Sequence, residues 1–177
     1  MKNFEKSTVY SEIKNFRFPR YNEITDIGLY LDQLISVVET ALTPLLGINT
    51  EDKWITASMI SNYVKQGIIP KPENKRYGRE QLAYLIFICT CKTVLPLAHI
   101  SEFFNLQRDT FSLETSYDYF CNEFENILME VFGEGKVFTD SGKTHSTEAK
   151  IVRASAFAVA HEIYLNKYIE FIKDDSK

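Results

Sequence analysis

The chain has 177 residues, 45% of them hydrophobic, which is enough to bury a core in one compact domain or two small ones. Five prolines, seven glycines and no low-complexity tract argue against extended disorder, and no window reaches the roughly 18 uninterrupted apolar residues of a membrane span. A net charge of −4 speaks, as a total, against a nucleic-acid partner.

Residues 1 to 25 read as an arm or an irregular lead-in. There is no apolar leader near Met1, so a cytoplasmic location is expected. Pro19 in the Arg17-Phe-Pro-Arg20 stretch excludes a helix interior there and pushes Phe18 towards extended geometry. Thr25 or Asp26 can cap a first helix whose apolar stripe is Ile27, Leu31, Leu34, Ile35, Val38 and Leu42. Pro44 and Gly47 are expected to kink and end it, and Asn49 to Asp52 to form a turn.

Thr56 to Pro70 is the most informative stretch. Thr56 is a good N-cap, and Met59, Ile60, Tyr63 and Val64 recur as one buried helical face. Gly67 supplies the left-handed stop and Pro70 prevents a restart. The opposite face carries Ser58, Ser61, Asn62 and Lys65, which are short hydrogen-bonding side chains and one cation, with no carboxylate.

Lys71 to Arg76 reads as a proline-bounded tight turn with cations at its tip and exit. A third helix is predicted from Arg79 to Thr93, burying Leu82, Leu85, Ile86 and Cys89, and a short fourth one beginning near Leu95, with Ile100, Phe103 and Phe104 inward. Thr115 to Phe132 is an acidic amphipathic helix with Tyr117, Phe120, Phe124, Leu128 and Val131 in helical spacing. A loop from Gly133 to Gly142 leads to a last helix, capped by Ser146 or Thr147 and running to Lys173. In it Ala154, Ala156, Ala158 and Ala160 permit close approach, and Ile163, Tyr164, Tyr168 and Ile172 continue the packing face. There is no internal repeat and no long heptad run, so an extended coiled coil is not expected.

The charge is unevenly distributed. From Lys53 to Glu80 six cations stand against two anions, a local +4 that leaves −8 for the remainder. A basic island in an acidic chain is an electrostatic footprint for nucleic acid. Cys89 and Cys91 point about 200° apart on a helix and cannot share a ligand or a strain-free bridge there. Together with Cys121 they read as reduced, buried thiols.

Helix, turn, capped polar-faced helix, tight basic turn and two supporting helices make a winged helix-turn-helix plan. Thr56 to Ile69 resembles the second helix of the MerR-type transcription regulators, with a small cap residue, a tyrosine at Tyr63 and a Gly67-Ile-Ile-Pro70 ending. Arg76-Tyr77 with Glu80-Gln-Leu82 resembles that family's wing exit and third helix, and Leu97-Ala-His-Ile100 its fourth. Serines stand at 58 and 61 and asparagine at 62 where those regulators commonly carry arginines and a tyrosine, and the wing between Pro70 and Tyr77 is shorter. Two helices after Asn105 replace their long dimerisation helix. From Phe18-Pro-Arg20 through Leu29-Tyr-Leu-Asp-Gln33 to Lys75-Arg-Tyr-Gly-Arg-Glu80, the chain is also similar to the bacterial domain-of-unknown-function family 1836, which is regarded as carrying a MerR-like domain.

The expected fold is therefore mainly α: an N-terminal arm (1–25), a MerR-like winged helix-turn-helix with a short wing (26–107), and a C-terminal helical region (112–173) for dimerisation or an effector. The resemblance implies a cytoplasmic, DNA-binding transcription regulator. It would dock helix 56–66 in the major groove of double-stranded DNA as a homodimer, with room for an unidentified small-molecule effector and no membrane partner. Lys65, Lys75, Arg76 and Arg79 are candidate phosphate contacts, the alternative being an ordinary solvated surface. Thr56 opens the helix, and Ser58, Ser61 and Asn62 either meet base edges or are plain helix surface. Tyr63 either packs in the core or reaches a phosphate with its hydroxyl, and the two are compatible. Trp54 reads as a packing anchor.

Enzyme readings fail on residue pattern. Ser141-Gly-Lys-Thr144 lacks the earlier glycine of a phosphate loop, since Val137 stands there, and no strand precedes it. His161-Glu162 has Leu165 where a zinc helix needs its second histidine, and His99 reads as a surface or capping residue. No catalytic residue, cofactor or metal is expected. The alternative from another class is a protein-interaction module that keeps the fold for its shape and works through the acidic C-terminal helices.

Overall fold

The computed structural model describes residues 3–47, 54–133 and 146–175. They are mainly helical: α1 (Thr8–Lys14), α2 (Leu31–Leu46), α3 (Ala57–Lys65), α4 (Arg79–Cys91), α5 (Leu97–Arg108), α6 (Leu113–Val131) and α7 (Thr147–Asp175), with two 3-10 turns at Phe4–Lys6 and Tyr21–Glu23. The expected turn at Asn49 to Asp52 and the stretch containing Ser141 to Thr144 lie outside the described residues, as does Lys53. Among the described residues there is no β-strand, and β-pairing is confined to two isolated antiparallel bridges, Leu29 with Tyr77 and Glu73 with Arg76. Among the described residues no helix is long and apolar enough to cross a membrane. The chain divides into two compact units, Pro19–Asp118 and Met1–Phe18 with Tyr119–Lys177.

The unit from Pro19 to Asp118 is built on α4. Every residue of α4 from Gln81 to Cys91 is buried, as befits a helix apolar on all sides. α2 packs against it through Leu34, Val38, Leu42 and Leu45, and α5 through Ile100, Phe103 and Phe104. Phe87 stacks on Phe103 with centroids 5.5 Å apart, and Tyr84 meets Phe104 edge-on at 4.8 Å. Gln81, the one buried amide of α4, is fully employed. Its Oε1 accepts from Gly78 N at 2.8 Å and its Nε2 donates to Lys71 O at 3.3 Å. The extended start of this unit is tied to α6, where Tyr117 Oη donates to Pro19 O and Asp118 accepts from Tyr21 N.

α2 begins later than the apolar stripe predicts. α2 starts at Leu31, and Ile27 is 74% exposed. The reason is the neighbouring bridge. Leu29 N donates to Tyr77 O at 2.8 Å and Tyr77 N to Leu29 O at 2.9 Å, which holds residues 28–30 extended. The helix is then capped from within, by Gln33 Oε1 accepting from Tyr30 N. Pro44 lies inside α2, and Gly47 at φ +81° ends it.

In the other unit the residues read as an irregular arm are partly helical. Asn3 and Ser7 cap the 3-10 turn and α1 with their side chains. Phe4 is buried against Tyr164, Tyr168 and Phe171 of α7. Phe18 is wholly buried among Phe16, Phe120 and Phe124, and its amide donates to Glu125 Oε1 at 2.8 Å. α6 buries Phe120, Cys121, Phe124, Ile127 and Leu128. α7 buries Val152, Ala156, Val159, Ala160 and Ile163 and is capped by Ser146 Oγ, which accepts from Ala149 N. Glu123, with no exposed surface, is paired with Arg153 across the two helices. Ala154, Ala158, Tyr168 and Ile172, expected to pack, are exposed instead.

Candidate nucleic-acid interface

α3 forms as its residue pattern requires. Thr56 is extended at φ −135°, and its Oγ1 accepts from Met59 N at 3.2 Å. Ile60 and Tyr63 are buried, and Met59 and Val64 half-buried. The helix stops at Gly67, whose φ of +71° lets Ile68 N donate to Tyr63 O. Ile68 and Ile69 then turn into the core, and Arg108 Nη2 donates to Ile68 O at 3.3 Å. α2 packs on α3.

Ser58, Ser61, Asn62 and Lys65 are all exposed and follow one another at i, i+3, i+4 and i+7, so they share a single face. Ser61 Oγ donates back to Ala57 O at 2.9 Å, which leaves its lone pairs outward. No carboxylate lies on α3. Lys65 and Gln66 close the exposed face at its C-terminal end.

Tyr63 is only 6% exposed, so its ring is part of the core. Burial, with a smaller effect of Cys89, raises its phenol above the ordinary 10.0. Trp54 is half-buried ahead of the cap, and its carbonyl accepts from Cys89 Sγ at 3.8 Å.

The turn after Pro70 is a two-residue connection. Glu73 and Arg76 exchange both backbone hydrogen bonds, at 3.0 and 2.8 Å. Asn74 and Lys75 between them both have positive φ, +49° and +62°. Positive φ at both central residues is the type I′ arrangement that suits a tight hairpin. Asn adopts that backbone readily; Lys does so less often. Lys75 therefore stands at the very tip of the turn, exposed.

The two arginines read as phosphate contacts are engaged within the protein. Arg76 lies over the Tyr30 ring, its Nη1 donates to Gly28 O at 3.0 Å and its Nη2 to Tyr30 Oη at 2.8 Å. Arg79 donates from Nε to Ile24 O at 3.0 Å, faces Asp26 at 4.0 Å and lies over Tyr21. Burial, then Glu80, raises the Tyr21 phenol above its ordinary value. Both arginines thus pin residues 21–30 against the turn and the start of α4. The sequence does not show this directly; its one readable signal is the pair of tyrosines, Tyr21 and Tyr30, on either side of buried Ile24.

Among the described residues no group of three metal-ligating side chains comes together. His99 is exposed, and so is His161, whose Nδ1 lies 2.8 Å from Phe157 O. Cys89, Cys91 and Cys121 are buried and form no disulfide. Burial pushes the Cys89 thiol from 9.0 up to about 11 and that of Cys91 higher still.

A family model described as "Domain of unknown function (DUF1836)" matches residues 19–120. No curated protein and no solved structure matches the chain. The matched stretch coincides, to within two residues at its end, with the compact unit Pro19–Asp118 that carries α3, the tight turn and both arginine contacts. That stretch is more than half of the chain, which therefore belongs to the DUF1836 family.

Proposed function

We propose that this protein is a DNA-binding transcription regulator of MerR-like, short-winged helix-turn-helix type. α3 docks in the major groove, the Glu73 to Arg76 turn serves as the wing, and the protein acts as a homodimer. The observation that carries this reading is the outer face of α3. Four polar side chains, Ser58, Ser61, Asn62 and Lys65, project from one face of a well-capped helix that bears no carboxylate. A duplex rewards that combination: Asn pairs bidentately with adenine, Ser donates or accepts, and Lys neutralises phosphate. Lys75 at the turn tip adds a second exposed cation. Arg76 and Arg79 hold the turn, and any phosphate they meet is met by groups already positioned.

The test is titration of labelled duplex fragments with the full chain across salt concentrations. Affinity is expected to fall steeply with salt, and Lys65→Ala and Lys75→Ala each to lower the logarithmic slope by about 1. Salt-insensitive or absent binding to a pool of genomic fragments would overturn the reading.

A second reading is a protein-interaction module. The observation favouring it is that Arg76 and Arg79 are spent on internal contacts, which leaves α3 with one cation of its own. Absent duplex binding together with specific capture of a protein partner through the α6 and α7 region would favour it.

A further inference from the structure

Four of the large exposed hydrophobic side chains lie within the last turns of α7: Leu165 at 58%, Tyr168 at 42%, Ile169 at 51% and Ile172 at 51% exposure. Extended backwards, three of them belong to one stripe: Ile151, Ala154, Ala158, His161, Leu165, Tyr168 and Ile172, spaced alternately by three and four. Spacing of this kind keeps a stripe facing a partner helix. From Ala154 onward every member is exposed, Tyr168 with one face of its ring stacked on Phe4, because the opposite face of α7 carries Val152, Ala156, Val159 and Ile163 into the core. The stripe is easily missed in the sequence, since two of its members are alanines and one is a histidine.

We propose that this face pairs with the same face of a second copy, antiparallel, about a two-fold axis beside Ile163. The argument is one of shape. The small members, Ala154 and Ala158, fill the first half of the stripe, and the large ones fill the second. A parallel pair sets alanine on alanine and isoleucine on isoleucine, so the helices are held apart at one end with gaps at the other. An antiparallel pair sets Ala154 of one copy on Ile172 of the other, Ala158 on Tyr168, and His161 on Leu165. Each layer then holds one large side chain, and the interaxial distance stays uniform.

The area points the same way. The three large side chains of the stripe expose about 300 Å² per copy, in the range of a functional patch. Two copies remove up to about 600 Å² in those residues, and the other exposed members of the stripe with flanking Ile169 extend this towards the roughly 1,200 Å² of the smaller specific interfaces. This deepens the proposed homodimer by naming its face and register, and it stands or falls without DNA.

The experiment is sedimentation equilibrium of the full chain without nucleic acid. A concentration-dependent dimer is expected. Leu165→Glu and Ile172→Glu should each raise the dissociation constant at least about tenfold, with helix content by circular dichroism unchanged because both side chains are exposed. For register, Ala154→Cys mixed with Ile172→Cys should give an interchain disulfide under mild oxidation, and Ala158→Cys alone should not. A monomer at every concentration, a dimer indifferent to both glutamates, or self-crosslinking of Ala158→Cys in preference to the mixed pair would each overturn the proposal. A dimer that fails to bind duplex leaves it standing and removes the proposed function instead.

Discussion

The guanidinium carbon of Arg76 lies 4.0 Å from the centroid of the Tyr30 ring. A residue that sequence alone assigns to phosphate binding is thus a brace for the turn. Gly28 makes this possible, since a Cβ there would stand 2.9 Å from Arg76 Cβ. Arg76→Ala is expected to lower unfolding free energy by about 1 kcal/mol. Gly28→Ala should cost at least as much, because Arg76 or the backbone at residue 28 must shift. Urea denaturation of the three proteins side by side checks both. Indifference to Arg76→Ala would show that the brace carries no stability.

The start and stop of α3 act locally and predict independent losses. Thr56→Ala removes the hydroxyl that accepts from Met59 N and is expected to cost about 1 kcal/mol, with Thr56→Ser restoring most of it. Gly67→Ala meets no atom within 4 Å, so its cost is that of a left-handed backbone alone, about 1 kcal/mol. Thermal melts of the single and double variants should show near-additive shifts.

Alkaline conditions should destabilise the protein through its buried thiols and phenol. The Cys89 thiol moves from 9.0 to about 11 on folding, and Cys91 and Tyr63 are also raised by burial. Below pH 9 folded and unfolded chains both keep these protons, and the contribution is constant. Above it the unfolded chain releases protons the folded chain retains, so stability falls as pH rises through the Cys89 window of 9.0 to about 11. Cys89 alone accounts for up to about 3 kcal/mol. Urea midpoints at about pH 8 and about pH 10.5 measure the loss, and a flat profile would contradict it. The native chain should also resist thiol alkylation at neutral pH.

Glu123 and Arg153 join α6 to α7, and Glu123 has no exposed surface. Arg153→Ala removes the cation paired with a buried carboxylate and is expected to cost about 3 kcal/mol. Replacing both partners, as in Glu123→Leu with Arg153→Met, should cost markedly less. A double variant as unstable as Arg153→Ala would mean that the helix pair depends on these charges for more than mutual neutralisation.

Elements whose cause is local were legible in the sequence. Thr56 and Ser146 cap helices by hydroxyl groups three residues from their donors, and Gly67 stops α3 because it alone there tolerates a positive φ. Periodicity placed α4, α5 and α6 within a few residues and identified Ile100, Phe103 and Phe104 as core. It also put Ser58, Ser61, Asn62 and Lys65 on one face, because side-chain direction on a helix follows from spacing alone.

What tertiary structure decided depends on partners distant in the chain. α2 starts at Leu31 rather than near Thr25 because the backbone at Leu29 pairs with Tyr77, forty-eight residues on. Phe4–Lys6 and Thr8–Lys14 are helical in the unit that includes the chain from Tyr119 onward, where Phe4 and Phe18 find their aromatic neighbours. The fate of a cation is likewise a question of what lies beside it. Sequence counts Arg76, Arg79, Lys65 and Lys75 alike, whereas the fold sets tyrosine rings and backbone carbonyls against the two arginines and leaves the two lysines exposed. Local propensity fixes where a helix can be; only the packed chain decides which charges remain available to a ligand.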